Sequence, residues 1–376
     1  MEQYIYISIT FFSLIIFLLY IYILYEKISE ACRNNKIRKH THKIEPYIDY
    51  ILNEIREGKE TTSATLENIK DACNDKTKSE VIEEIILDRL ESFDSTYLPK
   101  LTELCHDTCI VEHEINNLKS RNYFKKALAA KRLGEFRSKE AVQALLDEIN
   151  VRNNDVTYNI LLALAKIGDE PAFIKAFEGI DASLSLSERS LIEIVDSFEG
   201  DKNNIYKHMI NGSNSYFTVV FIKSAGNSKN ISLSKDISKY LLSENKELRI
   251  AAVKAMGNIG DEEYLDDIIE LLKDCEWEVR ALSAKALSNF TDHKILIPLK
   301  NALSDREWHV RYNAATTILN HKDGMSVVSS VFEGDDEFAK DIIISAIEHS
   351  AENKNYLHES FKNLAERKSA IMRGVV

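Results

Sequence analysis

The chain is 376 residues long, with 44% hydrophobic and 29% charged residues, which is typical of a folded protein with a sizeable core. Four prolines and twelve glycines are few for this length and favour long helices over a β-sandwich or barrel. The formal net charge is −12; residues 1–25 carry −1 and residues 26–43 carry +4, so residues 44–376 carry −15. A body this acidic is repelled by phosphate backbones, which excludes general nucleic-acid binding.

The first predicted element is a transmembrane helix over residues 4–25. These 22 positions contain no charged residue, proline or glycine. As a helix they span roughly 33 Å at about 1.5 Å per residue, enough to cross the hydrocarbon core. Tyrosines lie at both ends, where their amphipathic rings favour the membrane interface. A cleaved signal peptide is the alternative, but it would have a basic start, a shorter apolar core and a small-residue cleavage site. The pattern therefore favours an uncleaved anchor.

Residues 26–43 form a basic juxtamembrane segment. Its six Lys and Arg residues outnumber two glutamates, and Glu2 is the only charged side chain before it. Under the positive-inside rule, this asymmetry places residues 1–3 outside the cytoplasm and the C-terminal body inside it. We therefore predict a single-pass protein of the cell membrane, in which the basic segment sets the orientation and can contact anionic lipid.

A repeat of 31 residues follows farther along the chain. Residues 247–261, 278–292 and 309–323 align without gaps, with Arg, Asn and Asp recurring at three positions of each. Each stretch carries small and apolar residues at helical spacing, and apolar runs such as 264–274 supply a preceding helix. The small residues allow neighbouring units to approach closely. The pattern predicts an all-α, right-handed solenoid of helix pairs.

This repeat resembles bacterial HEAT repeats and HEAT-like repeats of the PBS-lyase type, whose second helix begins near D-x-x-x-x-V-R and ends near L-G-x-x-G-D. The resemblance implies a solenoid over residues 119–376, with about seven or eight helix pairs and an atypical last unit. Residues 44–118 carry further apolar stripes and are predicted to be helical, either as degenerate repeats or as a separate region. Weaker copies of the repeat lie upstream of the three clear ones, at 122–136, 155–173 (with Pro171 placed to open a helix), 187–201 and 215–227.

An aspartate and an arginine six positions later recur at the turns of the repeat. We interpret them structurally: the aspartate caps the second helix, and the arginine bonds to carboxylates of its own or the adjacent repeat, making a ladder. A charged active groove is the alternative. The tryptophans of the same register are expected to pack between repeats rather than to bind a ligand. The ladder residues are Arg249, Asp274, Trp277, Arg280, Asp305, Trp308 and Arg311.

One cluster has the spacing of metal ligands. Cys105, Cys109 and His113 lie four residues apart and are expected on one face of a helix, but zinc normally takes four ligands and no fourth is evident nearby. Five scattered cysteines, an odd number, indicate a reducing compartment rather than a disulfide framework. We therefore predict buried, reduced thiols and no metal. The pair His113 and Glu114 also resembles the His-Glu pairs of HEAT-like deoxyhypusine hydroxylases, but those enzymes hold iron with several pairs and this sequence shows one.

The candidate binding site is a basic stretch in the first clear repeat. Residues 118–140 hold eight Lys and Arg against two Glu, a net of +6 within the acidic body, with aromatic residues between them. Such a patch can dock an acidic protein surface or contact anionic lipid; a solvated helix face with core aromatics is the alternative. Membrane-anchored bacterial HEAT proteins look similar here, with an aromatic pair followed by a basic pair. The residues expected to bind are Arg121, Tyr123, Phe124, Lys125, Lys126, Lys131, Arg132 and Arg137.

The sequence thus predicts a membrane-anchored cytoplasmic scaffold or adaptor that binds other, membrane-associated proteins. Its overall plan resembles HEAT proteins of bacterial envelope and polysaccharide-synthesis complexes. We expect no enzyme activity, no cofactor and no small-molecule substrate, since Gly-rich phosphate loops and a nucleophile elbow are absent from the sequence. Two alternatives stay open: a HEAT-like lyase or metal-dependent hydroxylase, and a peripheral module that binds anionic lipid through residues 118–140.

Overall fold

The computed structural model describes residues 2–59, 63–90, 98–108, 110–180 and 186–349. Within these ranges the chain is all-α, built from α-helices and short 3-10 turns without a strand. The predicted fold class is confirmed at this level. The chain divides into two compact units: Met1–Ser185 with Ser197–Gly200 form the first, and Leu186–Asp196 with Asp201–Val376 form the second.

The first unit contains the long N-terminal helix and the helices that follow it, through the first two predicted weaker repeats. Its helices, in the described part, are α1 Glu2–Arg56, α2 Ser63–Cys73, α3 Lys76–Leu90, α4 Leu98–Asp107, α5 Ile110–Leu118, α6 Tyr123–Glu135, α7 Val142–Asp147, α8 Asn154–Ile167 and α9 Glu170–Gly179.

Helix α1 runs without a break from the apolar N-terminal segment into the body. An 18-residue window of this helix has a mean hydropathy of 2.5 with none of it buried, so by length and composition it is able to cross a membrane. The second half packs against α3, where Ile48, Ile51 and Ile55 are buried. The predicted boundaries at residues 25 and 43 are therefore not helix ends. No glycine interrupts the segment, and the helix continues through Pro46.

The expectation that Cys105 and His113 lie on one helical face is wrong. Cys105 lies in α4 and His113 in α5, so they do not share one helical face; Cys109 lies outside the described residues. The physical reason is Thr108, whose hydroxyl donates to the carbonyls of Leu104 at 2.7 Å and Cys105 at 3.3 Å. The hydroxyl thereby satisfies carbonyls at the end of α4 that the next turn would otherwise use.

Helices α6, α8 and α9 form where the weaker repeats were predicted. The Asn122 side chain accepts from the Lys125 backbone N–H and caps α6. Helix α8 ends at Gly168, whose φ of +72° is the left-handed conformation that favours glycine. Pro171 stands at the start of α9, as the sequence indicates. Gly134 of α6 lets α8 approach closely, because a Cβ at this position would lie 2.6 Å from the Cα of Ala163.

The second unit contains the three clear repeats and the helices before and after them. Its helices, in the described part, are α10 Glu188–Asp196, α11 Lys202–Ile210, α12 Ser215–Ser228, α13 Ser234–Ser238, α14 Lys246–Ile259, α15 Leu265–Glu270, α16 Trp277–Ala286, α17 Leu296–Ala302, α18 Trp308–Asn320, α19 Gly324–Glu333 and α20 Glu337–His349.

The 31-residue period sets the packing of this unit. Helices α14, α16 and α18 begin at residues 246, 277 and 308, one period apart, and neighbouring members pack on each other. Gly257 allows this contact, because a Cβ there would lie 2.5 Å from the Cβ of Ala286. The repeated asparagine Asn289 donates to the Gly257 carbonyl at 2.7 Å, and Thr317 donates to that of Ala284 at 2.7 Å. Small residues and side chain–backbone bonds together join successive repeats.

Candidate functional site

The repeated arginines connect each turn to the next. Arg280 donates from Nε and Nη2 to the carboxylate of Asp305, at 2.7 and 3.0 Å, and from Nη1 to the carbonyls of Asp274 and Cys275. Arg249 repeats this arrangement one period earlier, with Asp274 as its carboxylate at 2.9 and 3.0 Å. These forked bonds fix both the distance and the orientation of adjacent turns. Their geometry serves the stack and leaves neither guanidinium available for a substrate.

The prediction that the ladder aspartates cap the second helices is wrong, because the N-cap residues of α16 and α18 are Glu276 and Glu307. The aspartate carboxylates instead organise the turns before these helices. Asp274 Oδ1 accepts from the Glu276 backbone N–H, and Asp305 Oδ1 accepts from that of Glu307, both at 2.8 Å. Burial on its own would raise the pKa of each aspartate, but the hydrogen bonds from the arginine and the backbone outweigh it and hold both pKa values below their ordinary range. Both groups are therefore ionised at neutral pH.

The ladder ends at Arg311. Its Nη1 donates to the carbonyls of Asp305 and Arg306, like the earlier arginines. One period after Asp305 stands Asp336, but its carboxylate accepts instead from the Ser304 hydroxyl and from the backbone of Ala339 at the start of α20. Among the described residues the structure pairs Arg311 with no carboxylate.

The two tryptophans of the register differ in their environment. Trp277 packs across the repeat boundary onto His309, with ring centroids 5.2 Å apart. Trp308 stacks instead on Tyr312 of its own helix, at 4.8 Å and an interplanar angle of 15°, and 46% of its surface is exposed. The second tryptophan thus lies partly exposed at the surface of the unit.

The predicted basic patch divides into paired and exposed cations. Lys126 is buried and bound to Glu148, Arg137 forms a fork with Glu199 at 2.6 Å for each bond, and Arg132 lies between two glutamates. These three charges are neutralised within the first unit. Lys131 lines a surface groove.

The rest of the patch is exposed and lies around the start of α6. Phe124 is 79% exposed and Tyr123 is 51% exposed, although large aromatic side chains are usually buried. Arg121 and Lys125 flank them and are also exposed. We call these four residues the α6 patch. It combines two open aromatic rings with two cations, a composition common at protein interfaces.

A buried charge cluster lies beneath the groove and contains the pair His113 and Glu114 noted in the sequence, but the sequence did not indicate its other members, Glu83 and Arg132. Glu83 Oε1 lies 3.0 Å from His113 Nδ1, and Arg132 Nη1 donates to Glu83 at 2.7 Å and to Glu114 at 2.8 Å. The Ser79 hydroxyl also donates to Glu83. The two glutamate side chains are almost fully buried, so each needs such partners.

The pKa values of the two glutamates in the cluster are shifted in opposite directions. Burial would raise the pKa of Glu83, but hydrogen bonds from His113 and Glu114 and the charge of Arg132 lower it overall. Burial and the neighbouring Glu83 carboxylate raise the pKa of Glu114. The hydrogen bond to Glu83 raises the pKa of His113 against the effect of its own burial. Arg132 thus supplies the positive charge that the two carboxylates share, and His113 contributes a hydrogen bond to Glu83.

Three of these side chains have the donor atoms for a metal ion. The ligand atoms of Glu83, His113 and Glu114 lie within 4.8 Å of one another. Arg132, however, donates to both carboxylates and supplies the positive charge that a cation would bring. Cys105 does not contribute, because burial raises the pKa of its thiol to about 12 and keeps it protonated. As arranged, the cluster is an ion network bridged by Arg132 rather than an open metal site.

The groove above the cluster has a volume of about 520 Å³. Residues of α1, α3, α5 and α6 line it, including Arg33, Leu87, Leu128 and Lys131. Four Lys or Arg side chains and four Asp or Glu side chains share its surface, so it favours neither an anionic nor a cationic ligand.

Comparison with known proteins identifies the repeat. Residues 234–320 match the family model for HEAT repeats, which confirms the predicted resemblance over that part of the chain. No curated protein matches the sequence.

Several solved structures are similar to this chain. An engineered protein is 18% identical, covering 75% of this chain and 87% of its own, with a TM-score of 0.36. The complex of CpcE and CpcF of phycocyanin lyase from Nostoc is 17% identical, covering 63% and 94%, with a TM-score of 0.27. Kap121p is 11% identical, covering 84% of this chain and 44% of its own, with a TM-score of 0.43.

Proposed function

We propose that this protein is a membrane-anchored scaffold that binds another protein at the membrane surface. The observation that carries the proposal is helix α1, one continuous helix whose apolar half is uncovered and whose other half is part of the core of the first unit. A helix built in this way holds the first unit rigidly at the end of an anchor.

The distance between anchor and body is short. Arg33 pairs with Glu80 of α3 at 3.0 Å and marks the level at which α1 joins the unit. It lies eight residues beyond Tyr25, which is about 12 Å along a helix axis. Partners that are themselves in the membrane would therefore meet the first unit at a raised effective concentration. The basic segment after Tyr25 favours the cytoplasmic side for this body.

The α6 patch is the proposed docking surface for such a partner. Its aromatic rings supply apolar area, and its cations favour an acidic partner surface. HEAT repeats in the second unit support the scaffold, because repeat proteins of this kind present extended surfaces for binding. We propose that the chain acts without an enzymatic step, in an envelope or polysaccharide-synthesis complex.

The test combines membrane extraction with charge reversal. The full chain is expected to resist alkaline extraction from membranes, whereas a variant lacking residues 4–25 is released. After crosslinking in intact membranes, the variant Arg121→Glu/Lys125→Glu should lose its protein partner. A matched control, Arg152→Glu/Lys175→Glu, reverses two exposed charges elsewhere on the same unit and should keep it. Lys126, Arg132 and Arg137 are left intact because their ion pairs stabilise the unit.

Two other outcomes would redirect the proposal. Suppose that both variants crosslink to the same protein, and that only Arg121→Glu/Lys125→Glu no longer binds anionic liposomes. The α6 patch is then a lipid-binding site. The charge cluster of Glu83, His113 and Glu114 favours a metal-dependent enzyme as the second candidate. One equivalent of tightly bound metal in the purified full-length chain would support that candidate, and its absence would support the scaffold.

A further inference from the structure

Three arginines of the repeat hold their guanidinium groups in the same way. The Nη1 atoms of Arg249, Arg280 and Arg311 each donate to two consecutive backbone carbonyls in the turn before their helix, at distances from 2.7 to 3.2 Å. These bonds fix one side of the planar group and thereby direct the other edge, formed by Nε and Nη2. The guanidinium of Arg311 is therefore held like the first two.

The Nε–Nη2 edge is occupied in the first two arginines and open in the third. Arg249 and Arg280 each donate two bonds from this edge to an aspartate carboxylate, at distances from 2.7 to 3.0 Å. Asp336 stands at the corresponding place for Arg311, but the Ser304 hydroxyl and the backbone at the start of α20 hold its carboxylate instead. Within the described ranges, no group accepts a hydrogen bond from Nε or Nη2 of Arg311.

The open edge of Arg311 is accessible to solvent. Arg311 is half-buried, and neither its Nε nor its Nη2 is among the buried unpaired polar atoms of the described residues. Arg306, whose carbonyl accepts from Arg311, is exposed and adds a second positive charge to the same turn. Because Nη1 already holds the guanidinium in place, little conformational entropy is lost when a ligand binds the other two nitrogens. Arg311 is thus preorganised for an anion that accepts two parallel hydrogen bonds.

We propose that Arg311 binds the carboxylate of an aspartate or glutamate from a partner protein. The two earlier repeats indicate this chemistry, since the same edge of Arg249 and of Arg280 holds a carboxylate. Residues 241–349 hold 12 Lys and Arg against 21 Asp and Glu, so a long acidic run would be repelled. The partner segment therefore carries one acidic residue among uncharged ones. The inference rests on the proposed scaffold function and adds a second binding surface, in the second unit.

The experiment measures peptide binding to the detergent-solubilised full chain by saturation-transfer NMR, which detects weak ligands. The probe is the acetylated and amidated peptide Gly-Ser-Ala-Asp-Ala-Ser-Gly, and the same peptide with asparagine in place of aspartate is the ligand control. We expect saturable binding of the aspartate peptide, and a dissociation constant about tenfold higher for the asparagine peptide, which cannot form charge-assisted bonds. Empty detergent micelles should transfer no saturation to either peptide.

Three variants separate the Arg311 fork from general charge. Arg311→Gln removes the charge and Arg311→Lys keeps it without the fork, and each should raise the dissociation constant of the aspartate peptide about tenfold. Arg306→Gln removes one exposed charge from the same turn and should raise it less than about threefold, since exposed pairs contribute little. Urea unfolding followed by tryptophan fluorescence establishes that each variant is folded.

Two results would overturn the inference. The first is an unchanged dissociation constant in Arg311→Gln or in Arg311→Lys, because binding would then not need the fork. The second concerns the chain's own C-terminal segment, which contains Glu352, Glu359 and Glu366 outside the described residues. If the peptide binds only after these three are changed to glutamine, that segment is the occupant and the partner assignment is wrong. None of these outcomes depends on the α6 patch, so failure here is distinct from failure of the scaffold proposal.

Discussion

Removing Arg280 is the most informative perturbation of the repeat stack. The Arg280 side chain is 8% exposed and that of Asp305 is 13% exposed, and two bonds of 2.7 and 3.0 Å join them. Breaking a buried ion pair by removing one partner costs about 3–5 kcal/mol, since the other charge remains buried. Asp305 keeps one backbone hydrogen bond, from Glu307. We therefore expect Arg280→Ala to lower the free energy of unfolding by about 3 kcal/mol.

Arg311→Ala is the matched control. Arg311 makes the same two bonds to backbone carbonyls but has no carboxylate partner among the described residues. Its removal should cost about 2 kcal/mol, because each of the two hydrogen bonds contributes about 1 kcal/mol net. Urea unfolding of the detergent-solubilised chain, followed by tryptophan fluorescence, measures both variants. Trp277 and Trp308 are the first residues of α16 and α18, the helices that Arg280 connects.

Two results would refute this account of the ladder. The first is an equal loss of stability in the Arg280 and Arg311 variants. The second is strict additivity of Arg280→Ala and Asp305→Ala, because a direct pair must show coupling in the double variant. The pH dependence adds a further check. The lowered pKa of Asp305 contributes stability that is present above about 3.8 and is lost as the pH falls through its folded value. Arg280→Ala should therefore flatten the acid limb of the stability curve.

Three further predictions concern packing, titration and metal binding. Gly257→Val should destabilise the chain by about 1–3 kcal/mol in urea unfolding, since the new valine side chain meets Ala286. The control Gly179→Ala, with open space around it, should be close to neutral. Equal effects of the two variants would contradict the close packing at Gly257. The raised pKa of His113 contributes stability that is complete below its ordinary value of 6.5 and is lost as the pH rises through the folded value. His113→Gln should therefore flatten the decline of stability with pH, measured by circular dichroism melts between pH 6 and 9. An unchanged decline would rule out His113 as its source. With Arg132 intact, elemental analysis after dialysis against Zn²⁺ or Mn²⁺ should find well under one metal ion per chain. One full equivalent of metal would show that the ion displaces Arg132 from the two carboxylates.

The sequence was sufficient for the parts of the fold that repeat. The 31-residue register places the starts of α14, α16 and α18, because the same small and apolar positions recur in each. The relation between Arg280 and Asp305 also follows from the register, since both recur at fixed offsets.

The parts that do not repeat could not be predicted in this way. Glu83 meets His113 and Arg132 from 30 and 49 residues away, and no periodicity connects them. The charges of Lys126 and Arg137 looked available in the sequence, but glutamates 22 and 62 residues later neutralise them. Only the tertiary fold decides which members of a basic stretch remain free to bind. This reduces the candidate surface to the α6 patch.

The most direct test of the scaffold is photo-crosslinking from Phe124 in intact membranes. A photoreactive amino acid replaces Phe124, the most exposed aromatic ring of the α6 patch, and the control carries the same amino acid at Ile297, in the second unit. We predict one protein adduct of defined mass from position 124, absent from position 297 and lost when Arg121→Glu/Lys125→Glu is added. An adduct with lipid alone, or no adduct at all from position 124, would contradict the account.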